Sequence, residues 1–287
     1  MSTSAPYASS LSLRVDQAKW EFGLPDGARR LIATGDFEGR NNETLVNWLA
    51  SDELLSGRLL RWCNTPMYNL AAPYPSLAEV SQVMDRCELT RLAVLAFARG
   101  LFPEGYAVDG IQRDRLWGHS IAVGSVASMI SRTCGCGDPS LVFVAGTLHD
   151  IGLCAHQRLA PEAHQRIVSE VDELSTTHEV EQDLHGWDHA QLGAAILGQW
   201  GMPAAIQAAA LHHHAAEIAV ENEHAETIGC VAVANFLCSR AGWSSLGYHN
   251  LEAPGESILD RLGINSGLLA VIWQQVGGSL QSSAQLY

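Results

Sequence analysis

Histidine, aspartate and asparagine recur in this chain at positions where a helix would ordinarily carry a core side chain. His119 lies in register with Ala122, Val126 and Met129, and His189 with Gly193, Ile196 and Trp200. His213 shares a face with Ile206 and Ala210, with His214 directly after it, and Asn235 shares one with Ile228, Val231 and Cys238. The pair His149-Asp150 closes the almost wholly apolar run 141–148. Residues three, four or seven apart lie on one helix face, so each of these groups is directed into an apolar interior. A buried imidazole or carboxylate without a partner costs about 1–3 kcal/mol or more. A converging set answers that cost as a metal site or as a polar network closed through imidazole tautomers and water. Both readings are open at this level.

The elements that must position these residues are helices. No strand-like alternation and no internal repeat stands out, and nearly every periodic segment has the helical period, which predicts an all-α fold. The pattern places helices near 26–34, 43–51, 52–64, 77–84 and 88–101, and then near 115–133, 139–155, 161–173, 187–200, 203–215 and 225–240. Two more fall within 256–283, interrupted at Gly263–Asn265. Ser51 or Asp52 caps the helix carrying Leu55, Leu59 and Trp62, and Ser76 caps the next. Asp138-Pro139 and Met202-Pro203 are start signals, because proline is tolerated in a first helical turn. Asn64 reads as a C-cap before Thr65-Pro66, with a tie between lobes as the alternative. The polar, acidic stretch 174–186 reads as a loop. Pro103, Gly105 and Gly110 mark a boundary. The expected layout is a two-lobed helical bundle: a flexible arm (1–15), an N-terminal lobe (16–105), a second lobe holding the histidines (106–245) and C-terminal helices packed on it (246–287).

Composition narrows the classes. With 287 residues, 47% hydrophobic and 17% charged, the chain can bury a substantial core. A net charge of -14 without a basic run counts against direct nucleic-acid binding. No apolar run approaches the roughly 20 residues of a membrane span, and residues 1–12 lack a secretory leader pattern, so a soluble cytoplasmic protein is expected. Cys63, Cys87, Cys154, Cys230 and Cys238 sit in apolar helical patterns, ordinary core use in a reducing compartment. Cys134-Gly135-Cys136 has the wrong spacing for a zinc knuckle and reads as a helix end rather than a redox or metal element. Trp62, Trp117, Trp187 and Trp200 read as core anchors rather than a ligand cage. His185 is weighed as a further ligand and read as surface, and His156, His164, His178, His212, His224 and His249 receive no role.

Four stretches carry a resemblance. They are Leu59-Leu60-Arg61-Trp62-Cys63-Asn64-Thr65-Pro66-Met67-Tyr68; Leu116-Trp117-Gly118-His119-Ser120; Ala145-Gly146-Thr147-Leu148-His149-Asp150-Ile151-Gly152; and Asp188-His189-Ala190-Gln191-Leu192-Gly193, continuing to Trp200-Gly201-Met202-Pro203 and His213-His214. In this order, across roughly residues 24–240, they resemble the HDOD branch of the HD superfamily of metal-dependent phosphohydrolases. The resemblance implies that His119, His149, Asp150, His189, His213 and His214 are metal ligands, with Asp150 bridging. The metal is left open among iron, zinc, nickel and manganese. If the chain is an enzyme, the resemblance points to Asp150 and His149.

Two positions depart from the pattern. Where HD enzymes carry a final acid, Val233-Ala234-Asn235 offers an amide, a weaker ligand without charge. Where related cyclic-dinucleotide phosphodiesterases carry a phosphate-facing lysine after His-Asp-Ile-Gly, this chain has Leu153, and their Gly-Tyr-Pro segment is absent. Both changes count against phosphoester hydrolysis. The resemblance therefore implies a non-catalytic signalling module acting through a histidine kinase, a receiver or a cyclic-dinucleotide protein, with a homodimer left open. A metal-dependent phosphohydrolase acting on a nucleotide or cyclic dinucleotide is the alternative, and a scaffold with an empty site the third reading.

Overall fold

Asp52 accepts a hydrogen bond from the Leu55 amide and starts one helix, Ser76 accepts from Glu79 and starts the next, and such caps recur along the chain. The computed structural model describes residues 11–21, 42–64, 73–101, 110–171, 175–219, 221–246 and 251–283. Among these there are helices and no strands. The first half contributes α1 (Leu11–Glu21), α2 (Asn42–Ala50), α3 (Glu53–Cys63), α4 (Leu77–Val83) and α5 (Arg86–Leu101). The second contributes α6 (Gly110–Cys134), α7 (Pro139–Leu148), α8 (Ile151–Leu159), α9 (Pro161–Glu170), α10 (Thr177–His185), α11 (His189–Gln199), α12 (Ala204–His212) and α13 (Ala225–Arg240). Two C-terminal helices follow, the short α14 (Glu256–Arg261) and the long α15 (Ser266–Ser283), separated where Gly263 takes φ 67°.

Three local expectations change. The helix expected over 139–155 is two helices, because Asp150 leaves helical geometry at φ -96°, ψ 17°, so His149 and Asp150 stand at a break between α7 and α8. The stretch 174–186 is not a loop but contains α10, opened by a reciprocal Thr176–Glu179 capping box and closed by Gly186 at φ 76°. Residues 11–15 belong to α1, whose Val15 and Ala18 are buried and whose Arg14 Nη1 donates to the Leu159 carbonyl at 3.1 Å. The expected helix at 26–34, the arm before residue 11 and the boundary residues Pro103 and Gly105 lie outside the described residues. Asn64 does cap α3, and its amide is engaged by Tyr74, whose backbone carbonyl and N–H it meets at 2.9 and 2.7 Å; it does not reach toward the histidines.

Burial of apolar surface, at roughly 25 cal/mol per Å², is what holds these helices together. One contiguous cluster runs from Val15 through α3, α5, α6 and α7 to Val276 in α15. Trp62 stacks on Trp117 with centroids 6.3 Å apart, and Trp200 meets Phe97 edge-on at 5.9 Å. All four tryptophans expected as anchors are buried.

Two helix crossings depend on glycine. A Cβ on Gly124 would stand 2.8 Å from the Phe143 carbonyl, and one on Gly146 would stand 2.8 Å from Gly124 Cα, so α6 and α7 meet backbone to backbone. A Cβ on Gly152 would collide with the His189 carbonyl and lie 2.8 Å from the Gly193 amide, so α8 and α11 do the same. These four helices carry His119, His149, Asp150 and His189.

Candidate metal centre

All seven residues singled out by spacing are brought to one place. His119 projects from the middle of α6 and Asn235 from the middle of α13. The others stand at helix ends: His149 and Asp150 at the α7–α8 break, His189 as the first residue of α11, and His213 and His214 just past α12. His119, His149, Asp150, His189, His213 and Asn235 are each no more than 3% exposed.

Asp150 is the hub. Its Oδ2 lies 3.6 Å from His119 Nε2 and 3.4 Å from His149 Nε2, and its Oδ1 lies 3.5 Å from His189 Nε2 and 3.4 Å from His213 Nε2. His189 Nε2 is also 3.3 Å from His213 Nε2 and 2.9 Å from His214 Nε2. Two ligand sets result, Asp150 with His189, His213 and His214, and Asp150 with His119 and His149, each with its donor atoms within 4.8 Å of one another.

The far side of each ring fixes its tautomer. His119 Nδ1 meets the Trp243 carbonyl at 2.6 Å, His149 Nδ1 the Gly146 carbonyl at 2.7 Å and His213 Nδ1 the Ala210 carbonyl at 2.7 Å. A carbonyl only accepts, so each of these Nδ1 atoms carries a proton and each ring turns its Nε2 toward Asp150. Among the described residues, His149 Nε2 has no hydrogen-bond partner. Burial lowers His119 and His213 to about 4, which keeps them neutral near pH 7. His189 differs: burial opposes its charge, but Glu181 and then Asp150 raise it to about 9, so without a metal it holds a second proton. Burial likewise opposes the Asp150 charge, yet the imidazoles gathered around it, with the doubly protonated His189 among them, hold that carboxyl well below the usual range.

The donor set fits a transition metal. Donors about 2.0–2.1 Å from an ion stand roughly 3.0–3.4 Å from one another, close to the separations around Asp150. A second layer orients the ligands, as metal-binding imidazoles require. Glu181, 1% exposed, accepts from His189 Nδ1 at 2.5 Å and from the His189 backbone amide at 2.8 Å. His178 stacks on His214 with centroids 4.5 Å apart.

Sequence reasoning missed this layer. Glu181 and His178 lie on α10, in the stretch read as a loop, and the Thr176-x-x-Glu179 signature was the available signal for that helix. His156 and His164, given no role, are 1% and 5% exposed and pack edge-on at 5.9 Å behind the site. Ala163 and Ile167, apolar and four residues apart beside His164 on α9, were the signal for His164. His185, read as surface, is half-buried and stacks on Trp187 at 5.3 Å.

A cleft of about 450 Å³ of empty space, partly open to solvent, leads to the site. Asp150, His189, His214 and Asn235 line it, with hydroxyls from Ser175, Thr176, Thr177, Ser239, Ser244 and Ser245. Leu153 lines it too, and among the described residues no lysine or arginine does. Asn235 also hydrogen-bonds to His119, which tends to raise that imidazole.

The sequence pattern of the HDOD domain matches residues 23–216. The chain belongs to the HDOD family. An HDOD domain protein of unknown function from Geobacter sulfurreducens has a similar fold, with a TM-score of 0.77 at 23% identity, covering 97% of this chain and 99% of that one. A candidate signal transduction protein from Marinobacter aquaeolei VT8 gives 0.75 at 19% identity, covering 99% of this chain and 67% of that one. A candidate phosphohydrolase from Shewanella amazonensis SB2B gives 0.72 at 20%, covering 98% and 99%. At these identities the likeness is one of fold. An uncharacterized protein of Treponema pallidum (strain Nichols) is 23% identical over 195 residues, 67% of this chain, and the chain spans 37% of that relative's length. No helix among the described residues is long and apolar enough to cross a membrane.

Proposed function

We propose that this HDOD module binds a divalent transition metal through His119, His149, Asp150, His189, His213 and His214, and that the site serves regulation rather than phosphoester hydrolysis. The observation that carries the reading is the inward turn of Nε2 on His119, His149 and His213, with Nδ1 of each held by a main-chain carbonyl. Acceptors aimed at a carboxylate repel one another unless a cation stands among them. A divalent metal bound there would supply Lewis acidity and lower the pKa of a coordinated water. The chain's own residues favour holding that metal over processing an anion. Asn235 adds no charge to the set, and Leu153 with a hydroxyl wall leaves the cleft, among the described residues, without a lysine or arginine for a phosphate.

Regulation through a signalling partner, a histidine kinase, a receiver or a cyclic-dinucleotide protein, is the accompanying proposal. Family membership and the name of the Marinobacter neighbour support it. Hydrolysis is the second reading, favoured by the two oxygens of Asp150 each facing a separate imidazole pair, the disposition of a bridging ligand. One experiment separates the two. Metal content is measured after chelator-free purification, beside turnover of nucleotides and cyclic dinucleotides. Bound metal lost in His149→Ala, without turnover in the parent protein, is the expected outcome. Turnover that disappears in His149→Ala establishes the hydrolase, and no metal under any loading condition overturns both.

A further inference from the structure

The end of α6 carries a thiol cluster that the metal centre does not use. Helix α6 stops at Cys134 in a Schellman turn: Gly135 takes φ 65°, its N–H donates to the Arg132 carbonyl at 3.3 Å, and the Cys136 N–H reaches back to the Ser131 carbonyl at 3.1 Å. The helix end read from Cys134-Gly135-Cys136 is therefore real. The turn does more than end a helix, because it delivers Cys136 to the side of α13, where its Sγ lies 3.8 Å from Cys230 Sγ.

We propose that Cys136 and Cys230 form a reversible disulfide by exchange with low-molecular-weight disulfides. Cys136 is half-buried and reachable from solvent, whereas Cys230 is fully buried, so the two have distinct parts: Cys136 meets the oxidant and Cys230 resolves the adduct. The Cys136 thiolate attacks one sulfur of the small disulfide. That S–S bond breaks, one small thiolate leaves, and Cys136 carries a mixed disulfide. Cys230 then loses its proton to the departing thiolate and displaces the second small thiol. The sum is one small disulfide reduced by two electrons to two thiols, and two protein thiols oxidised to one disulfide.

The geometry admits this with little motion. A disulfide needs sulfurs about 2.05 Å apart, so the present contact must close by under 2 Å. Cys136 sits between Gly135 and Gly137, both at positive φ, in a segment held by Ser131 Oγ on the Cys136 carbonyl at 2.6 Å and by Glu226 on the Gly137 N–H at 2.9 Å. Chemistry separates Cys136 from the other thiols, its partner Cys230 included: contact with Cys136 and then burial raise Cys230 above the ordinary value. Burial pushes Cys63 and Cys154 up to about 12, and Cys134 is raised to about 11 by burial and then by Cys136. The Cys136 thiol is drawn below its ordinary value, chiefly by its contact with Cys230.

The test uses the full chain. Native protein is incubated with oxidised glutathione, quenched by alkylation and mapped by mass spectrometry. The expected product is a Cys136–Cys230 cross-linked peptide lacking two hydrogens, formed at least about tenfold faster than any modification of Cys63, Cys154 or Cys238 and reversed by dithiothreitol. Cys134→Ser should leave it unchanged, and Cys230→Ser should arrest the reaction with glutathione retained on Cys136. A Cys134–Cys136 link, or full alkylation of Cys136 and Cys230 in the parent protein after exposure, overturns the proposal, and this mapping does not depend on the variants folding.

Discussion

Replacing Glu181 tests the metal centre from its outer layer, away from the ligands themselves. Glu181→Ala removes the acceptor of two hydrogen bonds, one from His189 Nδ1 at 2.5 Å and one from the His189 amide at 2.8 Å, and leaves both donors buried. Each stranded donor costs about 1–3 kcal/mol, offset in part because a buried carboxylate no longer needs desolvation. A net stability loss of roughly 2–4 kcal/mol follows. The effect on metal is separate. Without Glu181 the ring of His189 is free to rotate and to change tautomer, and such outer partners are worth about 10–100-fold in affinity, or roughly 1.4–2.7 kcal/mol. Glu181→Gln retains an oxygen acceptor for one of the two donors and should fall between. The assay is competition against a chromophoric chelator, with urea unfolding of the metal-free protein run in parallel. If Glu181→Ala shifts the urea midpoint yet leaves metal affinity within about threefold, Glu181 is a packing group and its role in orienting His189 as a ligand fails.

The remaining predictions concern charge, packing and pH. Asn235→Asp adds an anion beside His119 and should tighten metal binding by about tenfold or more; unchanged affinity by calorimetry would remove the idea that Asn235 weakens a two-ion centre. Gly152→Ala drives a methyl into the His189 carbonyl and should destabilise the protein by roughly 3 kcal/mol or more, read as a lower urea midpoint together with lost metal. In metal-free protein, His119, His164 and His213 lie near 4 and His156 near 2, each lowered first by burial. The unfolded chain therefore binds more protons below its histidine value of about 6.5. Their contribution to stability should be full above that pH and fall as pH drops toward 4, by up to about 1.4 kcal/mol per unit for each histidine. His189 acts in another window, since its raised value of about 9 contributes stability below pH 6.5 that fades as pH rises toward 9. His164→Gln should flatten the acid limb by about one proton, and an unchanged limb refutes the assignment.

Much of the site was legible because its ligands interrupt apolar periodicity. His119 and Asn235 lie mid-helix, so their stripe partners announced both burial and direction. His149 and Asp150 were found for the same reason, yet the break they occupy was not, since the apolar pattern continues through Ile151 and Leu153 while the backbone turns at Asp150. Glu181 was invisible in a different way. It is an acid among acids on a polar segment, and its burial comes from contact with His189, eight residues on and in another helix. Periodicity reports which face of a helix is covered when apolar residues cover it, and it is silent where two polar faces close on each other. Cys136 belongs to the same class: its tripeptide correctly marked a helix end, but nothing local brings it to Cys230.

The backbone-to-backbone crossings of α6 with α7 and of α8 with α11 have a mechanical consequence. Elsewhere in the core, helices are held apart by side chains, and a change of volume moves one helix against another. At Gly124–Gly146 and Gly152–Gly193 there is no side chain left to compress, so the spacing of four ligands is set by a stop rather than a spring. Drift in the surrounding core would tilt or slide this group of helices as a body and leave the distances around Asp150 unaltered. A chain built this way can exchange its outer surfaces for new partners while its internal calibration stays fixed.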